Sequence, residues 1–144
     1  MKEIQTTITI NAPSERVWEV LTDFENHPTW NPFIKAISGD KQAGGKLIVF
    51  LQPPGGSGMT FKPSILVFDE KKEFRWKGKL FVPGIFDGEH YFLLQDKGDN
   101  TTKFTHGEKF TGILTGFVGS VLDKTKEGFD LMNKALKAEC ERKV

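Results

Sequence analysis

Cysteine, tyrosine and arginine are scarce in this chain of 144 residues, and each shortage excludes a class of site. The single cysteine, Cys140, excludes an internal disulfide and a metal centre built from cysteine ligands. The only tyrosine is Tyr91, and the three arginines are Arg16, Arg75 and Arg142. Alternation along their strands directs Tyr91 and Arg75 outward, and Arg142 lies near the last residue. We therefore expect no interior arginine clamp for a carboxylate.

The chain also lacks a strong net charge and long hydrophobic runs. The net charge is +1, and the lysines are scattered among acidic residues, so no basic patch indicates a nucleic-acid partner. No apolar run approaches the roughly 20 residues that span a bilayer. The opening segment, MKEIQTTITI, is predicted to be a strand and does not resemble a signal peptide. These features predict one cytoplasmic domain over residues 1–144, with no transmembrane segment and an oligomeric state left open.

What the chain does contain is an ordered set of amphipathic segments. Period-two alternation and turn signals predict strands, and apolar steps of three and four predict helices. One strand comes first, two short helices follow, and six strands precede one long helix. The predicted strands cover 3–10, 33–39, 46–52, 60–69, 73–80, 89–95 and 102–110, and the long helix covers 115–141. The prediction is an α+β fold in which a seven-stranded, curved antiparallel sheet is covered by the C-terminal helix.

Two local features qualify this assignment. Pro63 lies inside the fourth predicted strand and indicates an edge or a bulge. Gly116, Gly119 and Gly128 lie in the predicted long helix, where each costs about 1 kcal/mol relative to alanine. We expect such glycines where backbone or ligand must come close.

The segment KFTHGEKFTG, residues 103–112, places polar groups on an inward face. Its alternation directs Phe104, His106, Glu108 and Phe110 to one side. If the sixth and seventh strands form a hairpin, pairing sums near 196–198 place His90 beside residues 106–108. Three interpretations are open: a buried network that fixes strand register, a polar contact for a ligand with histidine as acid or base, or a metal site. The spacing supplies no fourth ligand, so we predict no metal.

Aromatic side chains are predicted to line an apolar pocket beside these groups. Trp76, Phe92, Phe104 and Phe110 face inward from adjacent strands, and Phe117 and Phe129 lie on or near the helix face opposite them. The remaining aromatic residues are predicted to be ordinary core packing.

Three segments carry a resemblance to a known family. In this order, VWEVLTDFENHPTWNPF near the start, and PGIFDGEHYFLL with TKFTHGEKFTGIL before the last helix, resemble the START-like helix-grip (SRPBCC) superfamily. The chain is most similar to small stand-alone bacterial domains of the polyketide cyclase/dehydrase type, over nearly its whole length. The resemblance implies a sheet that grips a long C-terminal helix around a hydrophobic cavity. Members bind lipids, sterols, polyketides, plant hormones or quinones, so the resemblance implies a cavity but no particular ligand.

The sequence thus predicts a protein that binds a hydrophobic small molecule, lipid-, polyketide- or aromatic-like, as a carrier or sensor without a cofactor. The predicted ligand-binding residues are Trp76, His90, Phe92, Phe104, His106, Glu108, Phe110, Phe117 and Phe129. Two alternatives remain open. One is a cyclase or dehydratase that acts on a poly-β-ketone, with His90, His106 and Glu108 moving protons. The other is a protein-interaction or assembly module. No nucleophile has an evident partner base, so we expect binding rather than catalysis.

Overall fold

The computed structural model describes residues 2–79, 87–112 and 119–142, and its elements follow the predicted order. The strands are β1 (Lys2–Ile10), β2 (Ile34–Gly39), β3 (Leu47–Leu51), β4 (Met59–Phe61), β5 (Ser64–Asp69), β6 (Glu73–Lys79), β7 (Asp87–Gly98) and β8 (Thr101–Thr111). The helices are α1 (Ser14–Thr22), α2 (His27–Trp30) and α3 (Gly119–Glu141), and a 3-10 turn covers Phe24–Asn26. In the described ranges, no helix is long and apolar enough to cross a membrane.

The strands form two antiparallel sheets rather than the single seven-stranded sheet that we predicted. One sheet has the order β1-β8-β7-β6-β5, and the other has the order β2-β3-β4. The prediction was wrong at the fourth strand, which is two strands, so the described residues contain eight. The rest of the prediction is confirmed: the fold is α+β with antiparallel sheets and a long C-terminal helix.

Pro63 explains the extra strand. It lies between β4 and β5, and its missing N–H interrupts the ladder. On one side of it Phe61 pairs with Val49 of β3, and on the other Ser64 pairs with Lys77 of β6. The predicted strand therefore changes partner at the proline. A bridge between Lys46 and Ser64 still connects the two sheets at this corner.

The apolar face of α3 packs on the five-stranded sheet, as the spacing of its apolar residues predicts. Phe129, Met132 and Leu136 are fully buried, Cys140 is 5% exposed, and Thr125 extends the same face. Residues 113–118 lie outside the described part of the chain, so the predicted helix start at 115, Phe117 and Gly116 lie outside it as well.

Gly128 permits one close contact between α3 and the loop before β2. A Cβ atom at Gly128 would lie 2.5 Å from Cδ1 of Phe33, whose side chain is buried. We expected backbone or ligand to come close at this glycine, but the group that approaches it is the Phe33 side chain. Phe33 is held in place from its own side by Asn31, whose Oδ1 accepts hydrogen bonds from the backbone N–H groups of Phe33 and Ile34, each at 2.9 Å.

The N-terminal helices close the other flank of the core. In α1, Val17 and Leu21, which lie four positions apart on one face of the helix, are buried. Trp18 packs edge-on against Phe68 of the edge strand β5 with ring centroids 5.1 Å apart. The two-proline segment after α1 holds a single further turn of α-helix, which is α2.

The outer face of the large sheet carries the groups that alternation directs outward. Arg75 forms ion pairs with Glu73 at 2.7 Å and Glu89 at 2.6 Å. Tyr91 is also on this face, yet it is only 2% exposed. The Arg75 guanidinium lies 4.7 Å above its ring, and its hydroxyl donates to Glu3. These residues are therefore not available to the interior.

Candidate functional site

The register of the β7–β8 hairpin brings the predicted polar residues together. His90 pairs with Glu108, and Phe92 pairs with His106. Both pairs have a residue sum of 198, so the predicted register is confirmed. Because both strands alternate, the paired side chains all lie on the same face.

That face is the inner one. Phe104 and His106 are fully buried, Phe110 is 4% exposed and Glu108 is 6% exposed, whereas Lys103, which precedes Phe104 and faces the other way, is exposed. On β7, His90 is fully buried. The histidines and the glutamate thus share the interior with phenylalanine, as predicted. A charged or polar group there requires partners, because an unpaired polar group in an apolar interior is costly.

The partners form a continuous chain of close contacts that ends at Glu108. Thr6 Oγ1 of β1 lies 2.8 Å from Asn133 Nδ2 of α3, and Asn133 Oδ1 lies 2.9 Å from His106 Nδ1. The Nε2 atoms of His106 and His90 lie 2.7 Å apart. Glu108 Oε1 lies 3.4 Å from His90 Nδ1. We call these five residues the interior polar chain.

One atom of the interior polar chain is incompletely satisfied. His90 Nδ1 is buried and has no hydrogen-bond partner among the described residues. The Glu108 carboxyl group is near enough for an ion pair but is not arranged as a hydrogen bond. Buried unsatisfied nitrogens are uncommon and often mark a place that another molecule or a water completes. The Glu108 side chain is 9% exposed and that of His90 is not exposed, so Glu108 is the more accessible end.

Within the interior polar chain, burial has the largest effect on the pKa of His106. Loss of solvent lowers the pKa of His106 well below its usual value, and the adjacent His90 lowers it further. The contact with Asn133 raises it, but by less. His106 is therefore neutral at physiological pH.

Aromatic rings enclose the two histidines. Phe129 of α3 stacks on His106 with ring centroids 4.0 Å apart, and Trp76 stacks on His90 at 4.8 Å. Phe92 lies 4.7 Å from His106. At the level of His106, the space between sheet and helix is therefore filled by Phe129.

Next to Glu108, the inner face of the sheet contains two glycines. Trp76, His90 and Glu108 form a row across three adjacent strands, because Trp76 pairs with His90 and His90 pairs with Glu108. The neighbouring row contains Gly78, Gly88 and Phe110. Two of its three positions have no side chain. This row lies at the end of β6, β7 and β8 that the Glu108 carboxyl group adjoins.

Of the nine predicted ligand-binding residues, the structure brings together Trp76, His90, Phe92, His106, Glu108 and Phe129. Phe104 borders this group through a ring contact with Phe92 at 5.9 Å. Phe110 is buried one pairing step beyond Glu108 on the same face. Phe117 lies outside the described residues. Which of these residues contact a ligand stays a prediction.

Three residues of the site were not predicted from the sequence: Thr6, Asn133 and Phe33. Asn133 follows Phe129 by four positions, so it lies on the apolar stripe of the helix. An amide at such a position indicates a buried hydrogen-bond partner, and this pattern could have identified the residue. Thr6 lies two positions after Ile4 on β1 and therefore on the same inward face. Phe33 lies 6.4 Å from His106 and 5.4 Å from Phe129 between ring centroids. Its role depends on the distant Gly128, which no local pattern connects to it.

The geometry of the histidines does not suit a shared metal ion. Their Nε2 atoms face each other at hydrogen-bond distance, whereas two zinc ligands would each lie about 2.1 Å from a common ion. Within the described ranges, no group of three or more histidine, cysteine, aspartate or glutamate side chains is arranged to hold a metal.

A separate groove of about 290 Å³ lies on the surface between α1, α2 and the end of α3. Its lining includes Arg16, Asp23, Trp30, Glu139 and Arg142. None of the predicted ligand-binding residues lines it. Its charged lining distinguishes it from the aromatic inner face.

The fold and its buried polar chain define a helix-grip domain, in which strands hold a C-terminal helix over an inward-facing site. Comparison with family models gives the particular family: the chain belongs to the family described as polyketide cyclase / dehydrase and lipid transport, whose model matches residues 1–143. The resemblance to the START-like (SRPBCC) superfamily is thereby confirmed. The comparison with curated proteins gave no match.

Solved structures share the fold at low sequence identity. The Zhui aromatase/cyclase from Streptomyces sp. R1128 superposes with a TM-score of 0.79 at 15% identity, covering 98% of this chain and 94% of that one. A START superfamily protein from Mycobacterium smegmatis gives a TM-score of 0.73 at 20% identity, covering 96% and 97%. A hypothetical protein from Helicobacter pylori gives 0.79 at 13% identity, covering 97% and 88%. Identities this low establish the fold alone.

Proposed function

We propose that this protein binds a hydrophobic small molecule between the inner face of β6–β8 and α3, as a carrier or sensor. The observation that carries the proposal is the buried Nδ1 of His90, which lies beside Glu108 in an aromatic wall and has no hydrogen-bond partner in the part of the chain that the structure describes. Ligand sites are typically apolar with a few convergent polar groups, which is the composition of this face. The family description, which includes lipid transport, supports the same class of ligand.

The contacts around the histidines limit where the ligand would bind. Phe129 already stacks on His106, so a ligand at that level would have to displace it. The row of Gly78, Gly88 and Phe110 has one side chain of its own and adjoins Glu108, and Pro63 lies against it at Gly78, where an added Cβ atom would be 3.2 Å from Pro63 Cβ. We therefore propose that the apolar body of the ligand lies over this row and that its polar group meets Glu108.

Binding can be tested with a panel of fatty acids, fatty alcohols, sterols, flavonoids and quinones. Thermal melting and intrinsic tryptophan emission would report binding, because Trp76 lies in the proposed wall. A ligand present at 100 times its dissociation constant adds about 2.7 kcal/mol to the free energy of unfolding. Absence of any saturable emission change or melting shift across the panel would contradict the proposal.

A variant pair tests the proposed location. Gly88→Leu places a side chain on the inner face beside Glu108 and should abolish or strongly weaken binding. Gln95→Leu adds the same side chain at an exposed position of the same strand and should leave the affinity unchanged. Equal affinity of both variants for the best ligand would show that the ligand binds elsewhere, such as the groove lined by Arg16 and Arg142.

The second candidate function is a cyclase or dehydratase that acts on a poly-β-ketone. It is favoured by one observation, the proximity of a buried imidazole nitrogen to a carboxyl group, which is an arrangement suited to acid–base chemistry. If the protein is such an enzyme, Glu108→Gln should lower kcat by about 100-fold or more while KM changes little. His106→Ala should likewise lower turnover much more than affinity. Equal losses of turnover and affinity would indicate binding alone.

A further inference from the structure

We infer that Asn133 is a positioning residue that sets the tautomers of both buried histidines, so that the His90–Glu108 pair holds one proton, on one group or the other. The inference concerns the ligand-free protein, and only its consequence for ligand choice rests on the proposed function. It follows from the direction in which each hydrogen bond of the interior polar chain must run. Each member has a limited number of protons to donate, and the chain begins at a group that can only accept.

The starting point is the backbone carbonyl of His106. Thr6 Oγ1 lies 2.9 Å from this oxygen, so the single hydroxyl proton of Thr6 is donated to it. Thr6 Oγ1 then accepts from its other neighbour, Asn133 Nδ2, at 2.8 Å. This contact fixes the orientation of the Asn133 amide, since the opposite orientation would face an oxygen with an oxygen.

The amide orientation fixes the two imidazoles in turn. Asn133 Oδ1 can only accept, so His106 Nδ1 carries a proton and donates it over 2.9 Å. His106 is buried and neutral, so its Nε2 carries no proton. His90 Nε2, 2.7 Å away, must therefore be the donor of that hydrogen bond. In a neutral His90 the remaining nitrogen, Nδ1, is then without a proton.

The last contact of the chain requires one further proton. A bare His90 Nδ1 and an ionised Glu108 carboxylate are both acceptors, and at 3.4 Å two acceptors in an apolar interior would repel. One proton, placed on either the imidazole or the carboxyl group, makes the contact favourable. With either placement the His90–Glu108 pair has no net charge.

The single proton of this pair has a consequence for the ligand. A neutral His90–Glu108 pair can donate to a carbonyl oxygen and can accept from a hydroxyl group. It offers no net positive charge to a carboxylate, whose desolvation in this interior would be left uncompensated. The pair therefore selects an apolar molecule whose oxygen group is an uncharged hydroxyl or ketone.

Nitrogen-15 NMR of the histidine side chains tests the inference directly, because protonated and bare ring nitrogens have different shifts. In the ligand-free protein at pH 7, His106 should show a proton on Nδ1 and none on Nε2, and His90 should show a proton on Nε2. A proton on Nε2 of His106 in the wild-type protein would overturn the inference.

Variants then test the role of Asn133. Asn133→Leu removes the acceptor, so the shifts of both histidines should change. Asn133→Asp keeps an acceptor and should retain the proton on His106 Nδ1. Thr6→Val removes the anchor of the amide and provides an independent test should Asn133→Leu fail to fold. Unchanged histidine shifts in Asn133→Leu or Thr6→Val would show that Asn133 positions neither ring.

Matched probes test the consequence for the ligand. Dodecan-1-ol, dodecan-2-one and dodecanoate have the same chain length and differ in the oxygen group. At pH 7 we expect dodecanoate to bind at least about tenfold more weakly than the other two. Tighter binding of dodecanoate would overturn the ligand preference. If none of the three bound while the predicted tautomers were observed, the proposed function would fail and the tautomer inference would stand.

Discussion

Substitution of Gly128 by alanine sets two opposing effects against each other on α3. Alanine is a better helix former than glycine by about 1 kcal/mol, so propensity alone predicts stabilisation. The added methyl group, however, would lie 2.5 Å from Cδ1 and 2.9 Å from Cε1 of Phe33. Both distances are too short for carbon atoms. Phe33 is 1% exposed and already contacts Phe129 and His90, so its ring has little room to move.

The clash should outweigh the gain in propensity. Overpacking of a core typically costs about 1–3 kcal/mol, which leaves a net loss on the order of 1 kcal/mol after the gain from alanine. Urea denaturation followed by far-UV circular dichroism would measure the change in unfolding free energy. For a domain of this size, 1 kcal/mol corresponds to a fall in Tm of roughly 2–8 °C.

Two controls separate the effects. Lys134 is exposed on the same helix, so Lys134→Gly compared with Lys134→Ala measures the cost of glycine without a core contact. Combining Gly128→Ala with Phe33→Leu should recover about 1 kcal/mol relative to the sum of the single changes, because the ring is removed. If Gly128→Ala alone is more stable than the wild-type protein, Phe33 does not lie against α3, and the packing beside the histidines is wrong.

Three further predictions use other parts of the structure. Gly107→Ala should lower the unfolding free energy by about 1–3 kcal/mol, because its Cβ atom would lie 2.3 Å from the Tyr91 hydroxyl; an unchanged midpoint in urea would contradict this. Burial lowers the pKa of both His106 and His27, so below about pH 6.5 the unfolded state binds more protons than the folded state. The free energy of unfolding should therefore be highest above that pH and should fall as the pH drops, by up to about 1.4 kcal/mol per pH unit for each histidine. An unfolding free energy that stays constant from pH 7 to 5 would refute this. Burial raises the pKa of Cys140 to about 12, so iodoacetamide at pH 8 should label it only after unfolding, and rapid labelling of the folded protein would show that it is accessible.

The parts of the fold that depend on local periodicity could be predicted from the sequence. Period-two alternation predicted the inward face of β8, and the short turn between β7 and β8 limited the predicted register to sums near 196–198. The steps of three and four in α3 gave the buried stripe through Phe129 and Leu136. In each case the signal lies within one element or within one hairpin.

The parts that depend on distant residues could not be predicted in the same way. Pro63 indicated a break, but the change of partner from β3 to β6 depends on how two sheets meet. The contact of Phe33 with Gly128 joins residues 95 positions apart. Asn133 was visible as an amide on an apolar stripe, yet its partner could be identified only once α3 was placed over β1 and β8. The cytoplasmic location, the single-domain organisation and the interaction-module hypothesis stay predictions.

The central claim is that an apolar molecule binds inside the fold with its polar group at Glu108. A crystal structure of the wild-type protein, grown with a saturating amount of the ligand that gives the largest melting shift, tests it most directly. We predict ligand density over Gly88 and Phe110, with one oxygen within about 3.2 Å of the Glu108 carboxyl group. Side chains filling that space, or ligand density only in the surface groove beside Arg16 and Arg142, would contradict the claim.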